Sequence, residues 1–391
     1  MGKPDRSKVT YSKKARLING IAKVQIPLEP TFDFVGNKNS DKSIQFYGPL
    51  RDPVSMSQVS AQICLAVIRR LGPIAVQNYT TGGWQNPSLQ KYEGVNVDAP
   101  VAVFYGVPDH VPESVFNHKK TIGGFVCETD HIQDSWVAVC NRFDLIIVPS
   151  NWCRQAFLDS GVLRPIMVVA HGLEDEYRPN PTINRPDVFT FYNTFHASSF
   201  STRKSLEELV RTFLRTFGKE EKVMLRLRTE STGYLTDLKK EYEFGNRIWH
   251  DANLNCNTQK FADIYSEVHC TVHPSKGEGF GFIPFQSIAC GTPVIAPHST
   301  GMADYLNGDN SIKLKTSGRV NGEGVGNAVG TYFAIDEDHL SYCMRYVVNH
   351  WETEYQKCNL ASSQFRHQYS WENVLEELIS CIDGWLQLEK S

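Results

Sequence analysis

The stretch 273–301 constrains the fold of this chain more than any other part of the sequence. An apolar run, 269–273, meets a glycine-rich loop that opens directly into an amphipathic helical pattern. Such a junction leaves free backbone N–H groups at the positive end of a helix, where anions bind. Inside the loop, Glu278 stands between Gly277 and Gly279, whose missing Cβ atoms allow a ligand to approach the backbone. The stretch therefore predicts a strand, a phosphate-binding loop and a helix.

Short apolar segments alternate with longer amphipathic ones along most of the chain. We interpret the short segments as buried parallel strands, most of them ending in Gly, Pro, Ser or Thr: Ser43–Tyr47, Val101–Tyr105, Phe125–Cys127, Leu145–Val148, Met167–Ala170, Val188–Tyr192, Val223–Leu227, Cys270–His273 and Val294–Ala296. The alternation predicts an α/β fold. The proline-rich passage 178–186 is the expected linker between two doubly wound halves.

The run from Glu278 to Ala296 resembles the signature of the GT-B glycosyltransferases of the family-4 type. That signature reads Glu-Gly-Phe-Gly, a short apolar run, a second Glu, and Gly-x-Pro-Val-Ile-Ala. This chain carries Gln286 where the family has its second glutamate. Eight helical residues span about 12 Å, a reasonable distance between the two sugars of a nucleotide-sugar. Glutamine keeps an acceptor oxygen but loses the charge, so ribose binding should survive in weaker form.

The resemblance implies both a fold and a set of donor contacts. The fold is GT-B: two Rossmann-like doubly wound domains, a cleft between them and a C-terminal crossover helix. In such enzymes Glu278 would touch the donor sugar and Gln286 the ribose. The loop amides would hold the diphosphate, and the residues that supply them here are Gly279, Phe280, Gly281 and Phe282.

The predicted domain boundaries follow the linker and the family pattern. We expect a basic leader over 1–42, an acceptor domain over 43–180 and a donor domain over 187–368. The ending Tyr369-Ser-Trp-Glu372 resembles the start of the family's last helix. That helix, about 370–391, is expected to return to the first domain.

A second cationic element follows the linker. Strand Val188–Tyr192 leads to Arg203 and Lys204, just before the predicted helix Ser205–Phe217. Two cations at a helix N-terminus oppose the helix dipole unless an anion neutralises them. In the family an Arg-Lys or Lys-Gly element here neutralises the leaving nucleoside diphosphate, and Lys204 matches it best. The family's further upstream arginine is not evident, and Arg203 is a candidate to replace it.

In the first half, the segment 124–136 resembles a family element near the reacting centre. It makes Glu128, Asp130 and His131 candidates to orient the acceptor or the donor sugar, with loop capping as the alternative. Gly48 follows the first strand, where such enzymes bring a loop over the diphosphate. It either allows close approach or serves the turn.

Composition limits the kind of protein that this chain can be. The chain is 41% hydrophobic and 21% charged over 391 residues, with no apolar run near 18 residues, so we expect a soluble, cytoplasmic protein. Its ten cysteines are scattered, which favours reduced thiols. The leader 1–42 holds nine Lys or Arg against four Asp or Glu. It is either a solvated tail or an arm for a polyanion, meaning nucleic acid or an anionic membrane surface.

The sequence also argues against metal chemistry. Asp336-Glu-Asp338 matches the Asp-x-Asp element of the other large glycosyltransferase fold, but it precedes the helical pattern Leu340–Val348, where acids start a helix. His269 and His273 lack a third ligand at metal-site spacing. We therefore expect a retaining, metal-independent glycosyltransferase that needs no cofactor beyond its nucleotide-diphosphate sugar. The alternatives are a non-catalytic sugar-nucleotide-binding or scaffold protein, a GT-B epimerase and a phosphorylase.

Overall fold

The computed structural model describes residues 43–51, 55–84, 86–195, 202–219, 221–229, 232–251, 257–322 and 329–389. The predicted basic leader, 1–42, lies outside this described part of the chain.

The first sheet is parallel and contains six strands. They are β1 (Ile44–Gly48), β2 (Ala75–Asn78), β3 (Val101–Tyr105), β4 (Lys120–Gly124), β5 (Leu145–Val148) and β6 (Ile166–Val168). Their order across the sheet is β2-β1-β3-β4-β5-β6. Strand β3 is apolar and fully buried along its length, as expected for a strand covered by helices on both faces.

The second sheet is also parallel and six-stranded. Its strands are β7 (Phe189–Thr194), β8 (Val223–Arg228), β9 (Ile248–Asp251), β10 (Cys270–Val272), β11 (Val294–Pro297) and β12 (Ile312–Leu314). The order β12-β11-β10-β7-β8-β9 is that of a doubly wound Rossmann sheet. A separate antiparallel hairpin pairs β13 (Thr316–Asn321) with β14 (Thr331–Ile335). Two parallel six-stranded sheets confirm the predicted α/β class.

Helices cover these sheets. They are α1 (Ser55–Leu71), α2 (Asp134–Cys140), α3 (Asn151–Asp159), α4 (Leu206–Thr216), α5 (Thr232–Tyr242), α6 (Thr258–Glu267), α7 (Phe282–Ala289), α8 (Glu337–Asn349), α9 (Trp351–Gln368) and α10 (Trp371–Leu388). Helix α10 packs against α1 and buries Trp371 and Leu378 in the core of the first sheet. The predicted crossover helix is therefore present. The proline-rich passage 178–186 lies between β6 and β7, and the domain boundaries themselves stay a prediction.

One predicted strand was wrong, and several were missed. The strand at this point is Lys120–Gly124, and Phe125–Cys127 follows it as a buried non-strand segment. An apolar pattern cannot distinguish a strand from a buried loop. The glycines that end β4 are required by packing, because a Cβ on Gly124 would lie 2.4 Å from the Tyr105 ring. Strands β2, β9, β12 and β13 gave no pattern that we interpreted as a strand.

The described residues also show the start of helix α8, the state of the cysteines and the apolar character of the helices. The Asp336 carboxylate accepts a hydrogen bond from the His339 N–H at 2.9 Å, so the acidic run caps α8 as predicted. The nine described cysteines are free thiols. None of the described helices is both long enough and apolar enough to cross a membrane.

The topology fixes where a ligand can bind. The strand order reverses between β1 and β3 in the first sheet and between β7 and β10 in the second. In open α/β sheets, the crevice at the carboxyl ends of such strands is the usual ligand site. Tyr105 stands at the end of β3, and His273 follows β10.

Candidate donor site at the glycine-rich loop

Glu278 is the centre of a buried ionic cluster. His273 Nε2 lies 2.9 Å from its Oε1, Arg203 Nη1 lies 3.3 Å from its Oε2, and Lys204 Nζ bonds to Oε1. The Glu278 residue is only 7% exposed. The structure thus brings together the three residues that the sequence predicted for catalysis and adds His273, which we had considered only as a metal ligand. The sequence signal that could have identified His273 as a site residue was its position at the start of the glycine-rich stretch.

The charges of this cluster compensate one another. Burial alone would raise the pKa of Glu278, but Lys204, Arg203 and His273 bring it well below its usual range. Burial, together with the neighbouring Arg203, lowers the pKa of Lys204 in spite of Glu278. Burial also lowers the pKa of His273, so its imidazole is neutral at neutral pH. The cluster therefore carries an ionised carboxylate between two cations.

Arg203 and Lys204 differ in what they face. Arg203 is 6% exposed, donates to the Gly277 carbonyl at 2.5 Å and reaches Glu128 at 3.4 Å. Lys204 lines the cavity described below, whereas Arg203 does not. Arg203 therefore lies behind the loop and supports it. This position does not favour Arg203 as the replacement for the family's upstream arginine.

The loop glycines serve packing as well as chain direction. Gly281, with φ of +93°, caps the N-terminus of α7 in the left-handed region. A Cβ on Gly279 would lie 2.2 Å from Val126 Cγ1 and 2.8 Å from the Cys127 carbonyl oxygen. The glycines thus let the loop contact the segment that follows β4. The glycine-rich loop, which the sequence predicted to bind a ligand, therefore also packs closely against residues of the first half of the protein.

Two adjoining cavities lie at this loop. The smaller cavity, about 580 Å³, is lined by Lys204, His273, Glu278 and the loop residues Gly279, Phe280, Gly281 and Phe282. The larger cavity, about 840 Å³, is lined by Gln286, Glu174 and Phe261. Five residues line both: Ser55, Arg228, Phe261, Phe282 and Ile283. The two positions of the sequence signature, Glu278 and Gln286, therefore open into different compartments of one space.

Gln286 is buried on the wall of the larger cavity. It is 5% exposed, and its Oε1 accepts a hydrogen bond from the Tyr265 hydroxyl at 3.0 Å. That bond uses one lone pair of the amide oxygen and leaves one for a ligand. The predicted ribose contact remains geometrically open and untested.

A neutral polar pair faces the cluster from the first half. The Tyr105 hydroxyl and His171 Nε2 are hydrogen-bonded at 2.8 Å, and the His171 ring stacks on Phe282 with 4.9 Å between centroids. Burial lowers the pKa of His171 to about 3, so the imidazole is uncharged. Both residues line the smaller cavity. The sequence pattern did not assign His171 to the site.

The three candidates from the segment 124–136 do not lie in the same place: Glu128 is at the cavity, whereas Asp130 and His131 are not. Glu128 lines the smaller cavity and is a partner of Arg203. Asp130 instead accepts hydrogen bonds from the N–H (2.6 Å) and hydroxyl (2.7 Å) of Thr331 and pairs with Arg319, which anchors the β13–β14 hairpin. His131 bridges to Val329 in the same region. Neither Asp130 nor His131 lines the two cavities, and this placement favours the capping alternative.

Packing within the protein accounts for the glycine at position 48. A Cβ on Gly48 would lie 3.0 Å from the Tyr105 carbonyl oxygen and 3.1 Å from Ser60 Oγ, so protein atoms explain the glycine. Gly48 lines neither cavity. Within the described ranges, no group of three or more His, Cys, Asp or Glu residues is placed to hold a metal ion.

Comparisons with known proteins agree with this geometry. Residues 253–378 match the model of a family described as family 4 glycosyltransferases in conflict systems. ORF313 of Acidianus filamentous virus 1, provisionally named a glycosyltransferase, is 22% identical over 245 residues, which are 60% of this chain and 71% of that protein.

Solved structures share the fold at low identity. Anabaena HepE, in complex with UDP and glucose, is 14% identical with a TM-score of 0.66, over 88% of this chain and 99% of HepE. Sucrose-phosphate synthase from Thermosynechococcus elongatus has the same identity and TM-score over 89% of this chain and 100% of that chain. The chain thus has the GT-B fold, and its residues 253–378 resemble the family 4 glycosyltransferases.

Proposed function

We propose that this protein transfers a sugar from a nucleotide-diphosphate sugar to an acceptor hydroxyl with retention of configuration and without a metal ion. The observation that carries the proposal is the Glu278 cluster, which joins one carboxylate to Arg203, Lys204 and His273 at the N-terminus of α7. HepE was solved with UDP and glucose, and its shared fold makes UDP-sugars the first donors to test.

The charge of the cluster suits a departing diphosphate. Lys204 faces the smaller cavity together with the loop 279–282, whose backbone N–H groups meet the positive end of α7. A cation and oriented amides stabilise negative charge that develops on a leaving phosphate. This arrangement supplies the neutralisation that a metal ion supplies in other transferases.

Donor binding would redistribute the contacts of Glu278. Lys204 now pairs with Glu278, and a diphosphate would compete for the same ammonium group. Glu278 would keep Arg203 on Oε2 and His273 on Oε1, and the acceptor position that Lys204 leaves on Oε1 would take a hydroxyl group of the donor sugar. The carboxylate then orients the sugar while the lysine holds the leaving group.

The reaction needs no residue that attacks the sugar. The bond from the anomeric carbon to the diphosphate oxygen breaks, and the acceptor oxygen bonds to that carbon on the same face. The acceptor proton passes to the departing diphosphate, which balances the step. The protein contributes position and electrostatic stabilisation.

The acceptor is approached from the first half of the protein. Tyr105, His171, Trp136 and Glu128 line the smaller cavity opposite the cluster, a mixed aromatic and polar surface that suits a carbohydrate or another hydroxyl compound. The polyanion acceptor remains a hypothesis based on the composition of residues 1–42. Deletion of residues 2–38 should flatten the salt dependence of acceptor binding if it holds. Equal salt dependence of both forms would reject it.

Donor hydrolysis tests the proposal without knowledge of the acceptor. We would incubate the pure protein with UDP-glucose, UDP-N-acetylglucosamine and GDP-mannose, and follow release of the nucleoside diphosphate. The anomeric configuration of the first transferred product is then read by NMR. Release by the wild type and its loss in Glu278→Gln supports the proposal. Binding without turnover would favour the non-catalytic sugar-nucleotide protein, and an epimerised donor sugar would favour the epimerase.

A further inference from the structure

Strand β8 carries two buried arginines on one face. Arg226 and Arg228 are two residues apart, so their side chains point to the same side of the sheet, and each is 8% exposed. The charge of Arg226 is compensated: its Nη2 lies 2.7 Å from Asp251 and its Nη1 2.7 Å from Glu267, and only its Nε, like that of Arg228, is buried without a partner. Arg226 is thus an ordinary buried ion pair.

Arg228 has no such compensation. Within the described part of the chain its guanidinium makes no hydrogen bond or ion pair, and its Nε is buried without a partner. The contact that it makes is with the Phe261 ring, whose centroid lies 4.8 Å from Cζ. A guanidinium is charged at every physiological pH. A buried charge without a counter-charge is strongly unfavourable, which indicates that an anion belongs beside it.

The position of Arg228 identifies where that anion would lie. Arg228 is the last residue of β8 and the register partner of Thr194, the last residue of β7, at the carboxyl edge of the sheet. It is one of the residues that line both cavities. Glu278 opens into one cavity and Gln286 into the other. The link between the two ends of a nucleotide-sugar is its diphosphate, and Arg228 stands at the junction.

The other cations of the site have different partners. Arg203 lines neither cavity and is held by the Gly277 carbonyl and Glu278. Lys204 lines only the smaller cavity, next to Glu278. Among the described residues, the arginines and lysines that line the smaller cavity are Lys204 and Arg228. Arg69 also lines the larger cavity but is exposed, so Arg228 is the buried cation on the side toward Gln286.

We propose that Arg228 binds the phosphate nearest the nucleoside in the nucleotide-diphosphate donor, while Lys204 serves the phosphate nearest the sugar. This inference rests on the proposed function for the presence of a nucleotide donor. It replaces Arg203 by Arg228 as the second phosphate-binding cation. A planar guanidinium suits two phosphate oxygens at once. The free protein keeps this charge in place by its contact with Phe261.

Calorimetric titration with UDP tests the assignment, with uridine as a competitor and Arg228→Gln as the variant. We expect Arg228→Gln to bind UDP at least about tenfold more weakly than the wild type does, since a charge-assisted hydrogen bond is lost. Uridine should bind to the variant and to the wild type equally well. The melting temperature of the ligand-free variant should be unchanged or higher, because an uncompensated charge has been removed. Arg228→Lys should recover part of the UDP affinity.

Arg226→Gln is the matched control on the same strand face. It leaves Asp251 without its guanidinium partner, so the free protein should melt earlier, and the folded fraction should keep its UDP affinity. Wild-type UDP affinity in Arg228→Gln would overturn the inference and leave the proposed function intact. An equal loss of uridine affinity would overturn it too, since Arg228 would then contact the base. If the wild type binds none of UDP, GDP and ADP, both proposals fail.

Discussion

The two walls of the smaller cavity differ in how much charge they carry. The wall from the second sheet carries ionised groups, namely Lys204, Arg228 and Glu278. The wall from the first sheet presents Glu128 at its edge, paired with Arg203, and the pair Tyr105 and His171, which burial keeps neutral; this pair is called the neutral wall below. A charged wall can hold a phosphate that leaves with negative charge, and a neutral wall can contact hydroxyl groups without competing for that phosphate. The comparison suggests that donor and acceptor chemistry are divided between the two walls.

The largest effect is expected at the centre of the charged wall. Glu278→Gln should nearly abolish transfer, and it should also lower the free energy of unfolding by about 3 kcal/mol, because two buried cations lose their carboxylate. Glu278 is 7% exposed and pairs with three side chains, so its replacement affects the fold as well as the site. Turnover assays and denaturant unfolding measure the two effects separately.

Glu128→Gln is the control for that prediction. The Glu128 side chain is 45% exposed and pairs with Arg203 at 3.4 Å, so its removal should change stability little. Equal stability of Glu278→Gln and the wild type would show that the buried cluster does not stabilise the charged wall. Normal turnover of a folded Glu278→Gln protein would remove Glu278 from the site.

A smaller effect is expected when the cation of the charged wall is removed. Lys204→Met should slow transfer by about 10²-fold, since developing phosphate charge loses one partner. Lys276→Met is the matched control, because Lys276 pairs with Glu208 at 2.7 Å and lines neither cavity. Single-turnover kinetics distinguish the step affected. Identical rates in the two variants would mean that Lys204 supports Glu278 without meeting the leaving group.

The neutral wall predicts a pH dependence of stability. An unfolded histidine takes a proton near pH 6.5, whereas the pKa of His171 in the fold is about 3. Its contribution is thus present above pH 6.5 and is lost as the pH falls toward 3, at most about 1.4 kcal/mol per pH unit. Histidines 269 and 298, whose pKa burial lowers to about 4, add to the same slope. His171→Gln should remove only the part of this pH dependence of the free energy of unfolding that His171 contributes.

Denaturant unfolding at pH 7.5 and pH 4.5 checks this prediction. The difference in the free energy of unfolding between the two pH values should be smaller in His171→Gln than in the wild type. An undiminished difference would show that His171 is protonated in the fold, and the contrast between a charged and a neutral wall would then fail.

The smallest effect is expected at the far end of the charged wall. Gln286→Glu should tighten UDP binding on the order of threefold, because a carboxylate accepts stronger hydrogen bonds from ribose hydroxyls than an amide does. The Tyr265 hydroxyl, 3.0 Å from Oε1, can donate to either side chain. Calorimetry with UDP measures the change. Much weaker binding would indicate that the amide N–H groups of Gln286 meet the nucleotide.

Local patterns predicted the parts of the molecule that depend on neighbouring residues. The apolar strand Val101–Tyr105, the loop that starts α7, the Asp336 cap and the C-terminal helix were all visible as runs or spacings. The sequence failed at Lys120–Gly124, where Gly124 stands in a strand because the ring of Tyr105 from β3 fills the space beside it. Propensity cannot anticipate such packing, since Tyr105 lies outside the local window.

The sequence by itself determined the α/β class and the glycine-rich loop before α7, and it predicted Glu278 and Lys204 as site residues, because these features are written in short stretches with their own spacing. Only the tertiary structure decided which charges are compensated. Arg226 and Arg228 look equivalent in the strand, yet Asp251 and Glu267 reach one and not the other. Tyr105 and His171, 66 residues apart, meet through the sheet order. Burial and pairing depend on contacts between distant segments, and those contacts set which groups remain available for a ligand.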